Sequence, residues 1–266
     1  MHIDALDAYR LRHSIIHRLD ARVKLVLTAL YILAVALTPE GMWLAYAALA
    51  ILALIAAVVS RLGLGFVYKR SVVALPFALA AVTVMFSTTG QPLLTARVFH
   101  WDFAITDTGL IRFFGIVAKS WLSVQMAVIL TASTPFPALL WAMRSLRVPK
   151  VLVTIVGFAY RYMFVIADEV LRMLRARAAR SGVREPGRRG GGSILWRARV
   201  TGGIAGNLFL RSIARSERIY DAMVARGYDG DVRTLRPPSI QLGDIGIGLA
   251  FGVLVIGIQI LARWTW

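Results

Sequence analysis

The chain has 266 residues, of which 58% are hydrophobic, and a formal net charge of +17. That much apolar content excludes an ordinary soluble domain of this size, and a mixed distribution of so much positive charge would point to nucleic acid. Apolar and basic residues are instead segregated along the chain, which predicts a polytopic membrane protein with the lipid bilayer, and no nucleic acid, as its partner.

Hydrophobic runs occupy Val23–Leu37, Met42–Val59, Val72–Ser87, Phe113–Ala132 and Ile245–Ala262. Most approach the ~20 residues needed to cross a bilayer, and the first needs help from its flanks. Five spans are expected. The absence of cysteine excludes disulfides and thiolate metal sites. Residues 1–22 are polar and basic rather than apolar, so the first span is expected to be an uncleaved anchor.

Loop charge sets the orientation. Arg10, Arg12, Arg18, Arg22 and Lys24 lead into the first span, whereas the following turn, Thr38-Pro39-Glu40-Gly41, has no basic residue. Arg61, Lys69 and Arg70 mark the next loop, and the Gly90–Gly109 loop has only Arg97. Residues 134–242 carry 19 basic and 7 acidic residues, a net of +12. This alternation predicts a cytoplasmic N-terminus and a cytoplasmic 134–242 segment. Five spans then put the C-terminus outside, with Arg263-Trp264-Thr265-Trp266 as an interfacial anchor.

His13–Leu27 has apolar residues at helical spacing beside Arg18 and Arg22, and predicts an interfacial helix running into the first span. Pro76 falls inside the third span as a packing kink, since neighbouring helices can satisfy the freed carbonyl. Lys119 is the one strong charge inside a span. It is expected to snorkel or to bond the carbonyls of a neighbouring helix, and Arg112 lies seven residues earlier on the same face. In the last span Gly248 and Gly252 have the four-residue spacing of a close helix contact.

Residues 134–242 read as three helices. Pro135-Phe136-Pro137 starts a short one reaching about Arg147. Pro149 suits a first turn, and nothing breaks the next helix before Ser181-Gly182, a length of roughly 45 Å at 1.5 Å per residue. Ile155, Phe158, Tyr162 and Val165 form an apolar stripe on it, while Arg161, Asp168, Glu169, Arg172 and Arg175 are spaced to pair within the helix. Glu185 to Gly192 is a glycine-rich linker. The third helix runs from about Ser193 to Arg226 and stops at Gly227, whose missing Cβ suits the left-handed conformation that ends helices.

Enzyme signatures are missing. Only His13 and His17 among the four histidines are four apart, without a carboxylate to complete a metal site, so no metal or other cofactor is expected. Gly190-Gly191-Gly192-Ser193 lacks the Gly-Lys-Ser/Thr ending of a phosphate-binding loop, and no nucleophile–base constellation is visible. The chain is expected not to be an enzyme and to have no catalytic residues.

Leu19-Asp20-Ala21-Arg22-Val23-Lys24-Leu25 resembles the Leu-Asp-Pro-Arg-x-Lys entry into the membrane of the T component of energy-coupling factor (ECF) transporters, with Ala21 in place of the usual Pro. Thr134-Pro135-Phe136, Leu146-Arg147-Val148-Pro149, Tyr160-Arg161-Tyr162 and Asp168-Glu169 follow in that family's order. Ala179-Arg180-Ser181 and Ala225-Arg226-Gly227 resemble its two Ala-Arg-Gly signatures, the first departing at Ser181. Ala176-Arg177-Ala178 competes for the first signature, but the later triplet sits at the helix end. Length and the Arg161/Asp168-Glu169 context are most similar to the cobalt-type branch, CbiQ.

The resemblance implies an all-α fold with about five transmembrane helices plus long cytoplasmic coupling helices. Residues 1–133 would form an N-terminal transmembrane region of about four helices, 134–242 the coupling region and 243–266 the last span. It implies a scaffold in the inner (cytoplasmic) membrane that couples two ABC-type ATPases, as a homodimer or heterodimer, to a separate substrate-binding S component, for cobalt or a related transition metal. Arg180 and Arg226 would each contact a groove on one ATPase, with Ala179, Ser181, Ala225 and Gly227 permitting close approach. The helix macrodipole offers a plainer role for each arginine, worth about 0.3–1 kcal/mol. A stand-alone secondary transporter of a small solute is the competing function, and it would need internal repeats or paired buried charges.

Overall fold

The computed structural model describes residues 9–87, 92–98, 101–180, 193–230 and 240–264. The class is all-α, and the helices fall into two compact units, residues 147–236 and the remainder.

The membrane unit begins with a correction to the continuous interfacial helix expected over His13–Leu27. The structure has a single turn, α1 (Ile15–Arg18), and then a separate α2 (Ala21–Leu37). Asp20 causes the break: its carboxylate accepts from the Arg22 backbone N–H at 2.8 Å and so starts a new helix. α2 and α3 (Trp43–Val59) have 17 residues each and meet at Gly41, whose φ of +91° favours glycine. Across that turn Glu40 accepts from Arg112 at 3.0 Å. The charge of Arg112 is thus met by an acid in a neighbouring turn. Among the described residues Lys119, half-buried, makes no hydrogen bond or ion pair, so the expected bond to a neighbouring carbonyl is not formed.

The third span is α4 (Leu64–Ser71) and α5 (Leu75–Ser87), joined by a tighter 3-10 turn over Val72–Ala74. Pro76 lacks an N–H for the Val72 carbonyl, and the irregularity falls there. The Gly90–Gly109 loop contains an element that its sequence did not announce, an antiparallel hairpin of β1 (Pro92–Val98) and β2 (Trp101–Thr106). Its register sets Arg97 opposite Asp102. Thr106 then caps α6 (Asp107–Ser133), accepting from the Gly109 N–H at 3.2 Å.

α2, α3, α6 and α10 (Leu242–Trp264) converge on one core containing Tyr31, Val35, Leu49, Ala53, Met126, Ile129 and Val255. Two polar side chains tie its helices together, although the buried Gln259 Oε1 finds no partner among the described residues. The Tyr31 hydroxyl donates to the Leu49 carbonyl at 2.9 Å, and Gln259 Nε2 donates to the Ala34 carbonyl and to Thr38 Oγ1 at 2.9 and 2.8 Å. The glycine pair finds its partner inside the chain: a Cβ on Gly248 would lie 3.0 Å from Val23 Cγ1, and one on Gly252 3.7 Å from Leu30 Cδ2, both on α2. Large apolar side chains such as Leu33, Leu44, Phe77 and Leu79 point outward, as they do where the solvent is lipid.

Four described helical stretches are long and apolar enough to cross a membrane: Leu64–Met85, Asp107–Ser133, Lys150–Ala179 and Leu242–Trp264. Trp43–Val59 is a shorter apolar helix. Lys150–Ala179 was not among the five expected spans. It forms α8 (Lys150–Arg180) of the second unit, after the short α7 (Phe136–Ser145) of the first.

Candidate functional site

The second unit pairs α8 with α9 (Ile194–Val224), each 31 residues long. α9 has no buried residue, and Ile194, Leu195, Phe209 and Leu210 on it are all exposed. The pair is tied by charge. Glu169 of α8, only 8% exposed, accepts from Arg211 Nη1 at 3.3 Å and from Arg215 Nη2 at 2.6 Å. Expected to pair within its own helix, Glu169 bridges to α9 instead, because Arg211 and Arg215 are one turn apart and present two donors to one carboxylate. No pattern inside either helix announces this, since the pairs are separated by 42 and 46 residues.

Further along α8, Arg177 Nη1 lies 3.5 Å from Thr201 Oγ1, and its guanidinium 5.8 Å from the Trp196 ring centroid. Residue 169 thus meets 211 and 215, whereas 177 meets 196 and 201, so the helices run antiparallel where they touch. Their C-terminal ends lie on opposite sides of that contact.

Those ends hold the expected signature residues. α8 extends to Arg180, with Ala179 exposed just before it, while Ser181 and the Glu185–Gly192 linker lie outside the described residues. The end of α9 is a Schellman motif. Tyr228 N–H bonds the Met223 carbonyl at 3.0 Å and Gly227 N–H the Val224 carbonyl at 2.9 Å, with Gly227 at φ +79°. Ala225, Arg226 and Gly227 are all exposed. Beyond its own chain neighbours, no described atom lies within 4 Å of where a Gly227 Cβ would stand. Among the described residues the Arg226 side chain has no hydrogen-bond or salt-bridge partner.

The Leu19–Leu25 motif lies in the other unit and has a structural explanation. Leu19 is buried and Asp20 caps α2. The Arg22 guanidinium sits 3.7 Å from the Trp141 ring centroid of α7, and Lys24 Nζ donates to the Ser133 carbonyl at 3.3 Å. Together with Arg10 N–H on the Ala132 carbonyl at 3.0 Å, Lys24 closes the C-terminus of α6 just before Thr134-Pro135-Phe136. Two of the motifs therefore meet in space, joined by an ammonium–carbonyl bond spanning 109 residues.

A lipid-facing helical bundle carrying an exposed, charge-tied helix pair is a multi-pass membrane protein of the transporter-subunit kind. Residues 12–236 match the family model CbiQ, described as cobalt transport protein, and the chain belongs to that family, the membrane T components of ECF transporters. It is 30% identical to the energy-coupling factor transporter transmembrane protein EcfT of Limosilactobacillus fermentum, over 88% of this chain and 90% of that one. Identity to the cobalt transport protein CbiQ of Rhodobacter capsulatus is 27%, over 69% and 72% of the two chains. The EcfT of Lactobacillus helveticus is 24% identical over 94% and 90%.

Proposed function

We propose that this chain is a non-enzymatic coupling subunit: it links ATP hydrolysis by two partner ATPases to uptake through a separate substrate-binding membrane subunit. The cargo we assign is cobalt or a related transition metal, in keeping with the CbiQ family description. Arg180 and Arg226 are the two coupling contacts, with Ala179, Ser181, Ala225 and Gly227 as their small neighbours.

The observation that carries this reading is Arg226, an exposed guanidinium without a partner among the described residues, held out at a glycine-terminated helix end. The planar fork of arginine pairs bidentately with a carboxylate, which lysine cannot reproduce. Arg177 turns toward α9 rather than outward, which favours Arg180 over it as the first contact. Opposed helix ends suit one ATPase at each.

α8 is placed on the cytoplasmic side, with the N-terminus, although it is long enough to span. Its second half carries Asp168, Glu169, Arg172, Arg175, Arg177 and Arg180, which are costly in hydrocarbon. We assign the chain to the inner, cytoplasmic membrane, in keeping with a scaffold for cytoplasmic ATPases.

Purification in mild detergent tests the assignment. ATPase subunits co-purify with the native chain, and replacing Arg180 and Arg226 together with Ala releases them or abolishes metal uptake. Isolation of the native chain free of any ATPase, or full uptake by the double variant, overturns it.

A further inference from the structure

The membrane unit has two adjoining hollows that neither the coupling contacts nor the core explains. One is apolar, about 240 Å³, and lies between α2, α3, α6 and α10 among Leu27, Leu52, Met126, Ile129, Ile247 and Phe251. Its one charged wall residue, Lys24, is already held by the Ser133 carbonyl, with Asp20 and Asp244 the carboxylates acting on it. The other hollow, about 480 Å³, is half polar, and among the described residues its lining holds His13, Arg18 and Arg61 and no carboxylate. Ile15 and Val59 belong to both walls, so the two spaces lie side by side.

Backbone geometry at the basic end adds an independent observation. Arg61 has φ +54°, a conformation that glycine adopts freely and that a residue with a Cβ adopts at a cost. The buried Ser60 holds the turn: its hydroxyl donates to the Ala57 carbonyl at 2.6 Å and accepts from Leu62 N–H at 3.4 Å. An arginine standing where glycine would relieve strain points to use of its guanidinium. Neither Arg18 nor Arg61 makes an ion pair among the described residues, and both are exposed.

We propose that these adjoining hollows bind one anionic phospholipid from the bilayer, an acyl chain entering the apolar cavity past Ile15 and Val59 and the phosphate lying between Arg18 and Arg61 beside His13. The location fits, because Arg61 closes a membrane helix where the interface begins. The chemistry fits as well: guanidinium forks match phosphate oxygens, and basic pockets between membrane helices take anionic headgroups. A soluble phosphate would leave the apolar half unfilled, and a zwitterionic lipid would offer the unopposed positive charge less.

Native mass spectrometry of the full chain in mild detergent, with phosphatidylglycerol and phosphatidylcholine added equally, tests this. Phosphatidylglycerol is retained at least about five-fold better, and Arg18→Gln and Arg61→Gly each lower its retention by about five-fold, the value of one basic side chain at an anionic surface. The R61G chain removes the strained φ, so it unfolds at the same temperature or higher and its loss of lipid is not misfolding. Ile247→Trp blocks the apolar end and lowers retention without a change of charge. Arg12→Gln, outside both hollows, leaves retention unchanged. Equal retention of the two lipids, full retention by R18Q and R61G, an equal loss in R12Q, or displacement of the lipid by free glycerol phosphate each overturns the proposal.

Discussion

The Glu169 carboxylate lies 2.6 Å from Arg215 Nη2, close enough to make this a charge-assisted bond between two 31-residue helices. Arg211 adds a second donor to the same side chain. Few other described contacts join α8 to α9, so their relative placement depends heavily on this carboxylate. Glu169→Lys is expected to splay the pair and reduce coupled uptake several-fold. The exchange Glu169→Arg with Arg215→Glu restores much of it, because one opposite-charge contact is re-formed. Uptake assays of the single and exchanged variants check this.

The packing of α5 on α6 predicts a sharp size limit at Gly109. A Cβ there would stand 2.6 Å from the Met85 carbonyl oxygen, a backbone atom that cannot turn aside. Gly109→Ala is expected to cost about 1–3 kcal/mol by overpacking. Thermal unfolding in detergent measures it. Gly246→Ala, which meets nothing within 4 Å, serves as the control.

At the end of α9, Gly227→Ala forces a Cβ into a φ of +79°. The expected cost is about 1–2 kcal/mol, felt locally as fraying of the last turn. Because Arg226 is positioned by that turn, ATPase retention falls although the arginine is intact. Gly227→Asn, a residue that tolerates the left-handed region, retains most of it. Pull-down of the ATPases distinguishes the two variants.

Gln259 fastens the end of α10 to the end of α2 through Ala34 and Thr38. Gln259→Leu keeps the volume and removes the donor. Polar contacts between membrane helices average about 0.6 kcal/mol with a maximum of about 1.7, and a loss in that range is expected. A double-mutant cycle with Thr38→Val measures the share due to Thr38.

His17 predicts a dependence on pH at the N-terminal edge. Its Nε2 lies 3.0 Å from the Arg10 carbonyl and so donates to it, which leaves Nδ1, 2.7 Å from Ser14 Oγ, to accept from that hydroxyl. Desolvation by burial pulls its pKa below the ordinary 6.5, with the Arg10 carbonyl acting in the opposite direction. A lowered folded-state pKa means that the unfolded chain binds the proton more readily. Stability is therefore full above about pH 6.5 and declines as pH falls below it. Thermal midpoints from pH 8 to pH 5 should show the decline, and His17→Gln should flatten it.

Much of this protein follows from one-dimensional pattern. Runs of apolar residues long enough for a bilayer, separated by basic and non-basic loops, announce most of the long helices of the membrane unit, though not α4 or the first turn of α6, because lipid leaves the backbone no other way to satisfy itself. Gly227 as the stop of α9 was equally legible, since its physical requirement is local. Pairings across distance were not legible. That Glu169 serves Arg211 and Arg215 rather than its own helix, that Lys24 closes α6 at Ser133, and that Gln259 reaches Thr38 all depend on which surfaces meet after folding. The capping carboxylate that splits α1 from α2 lay in plain view at Asp20, but apolar periodicity hides a local competition for backbone donors. Local free energies are written in the order of residues. The partners of buried and bridging charges are decided only by the tertiary structure, which brings together groups that the chain keeps dozens of residues apart.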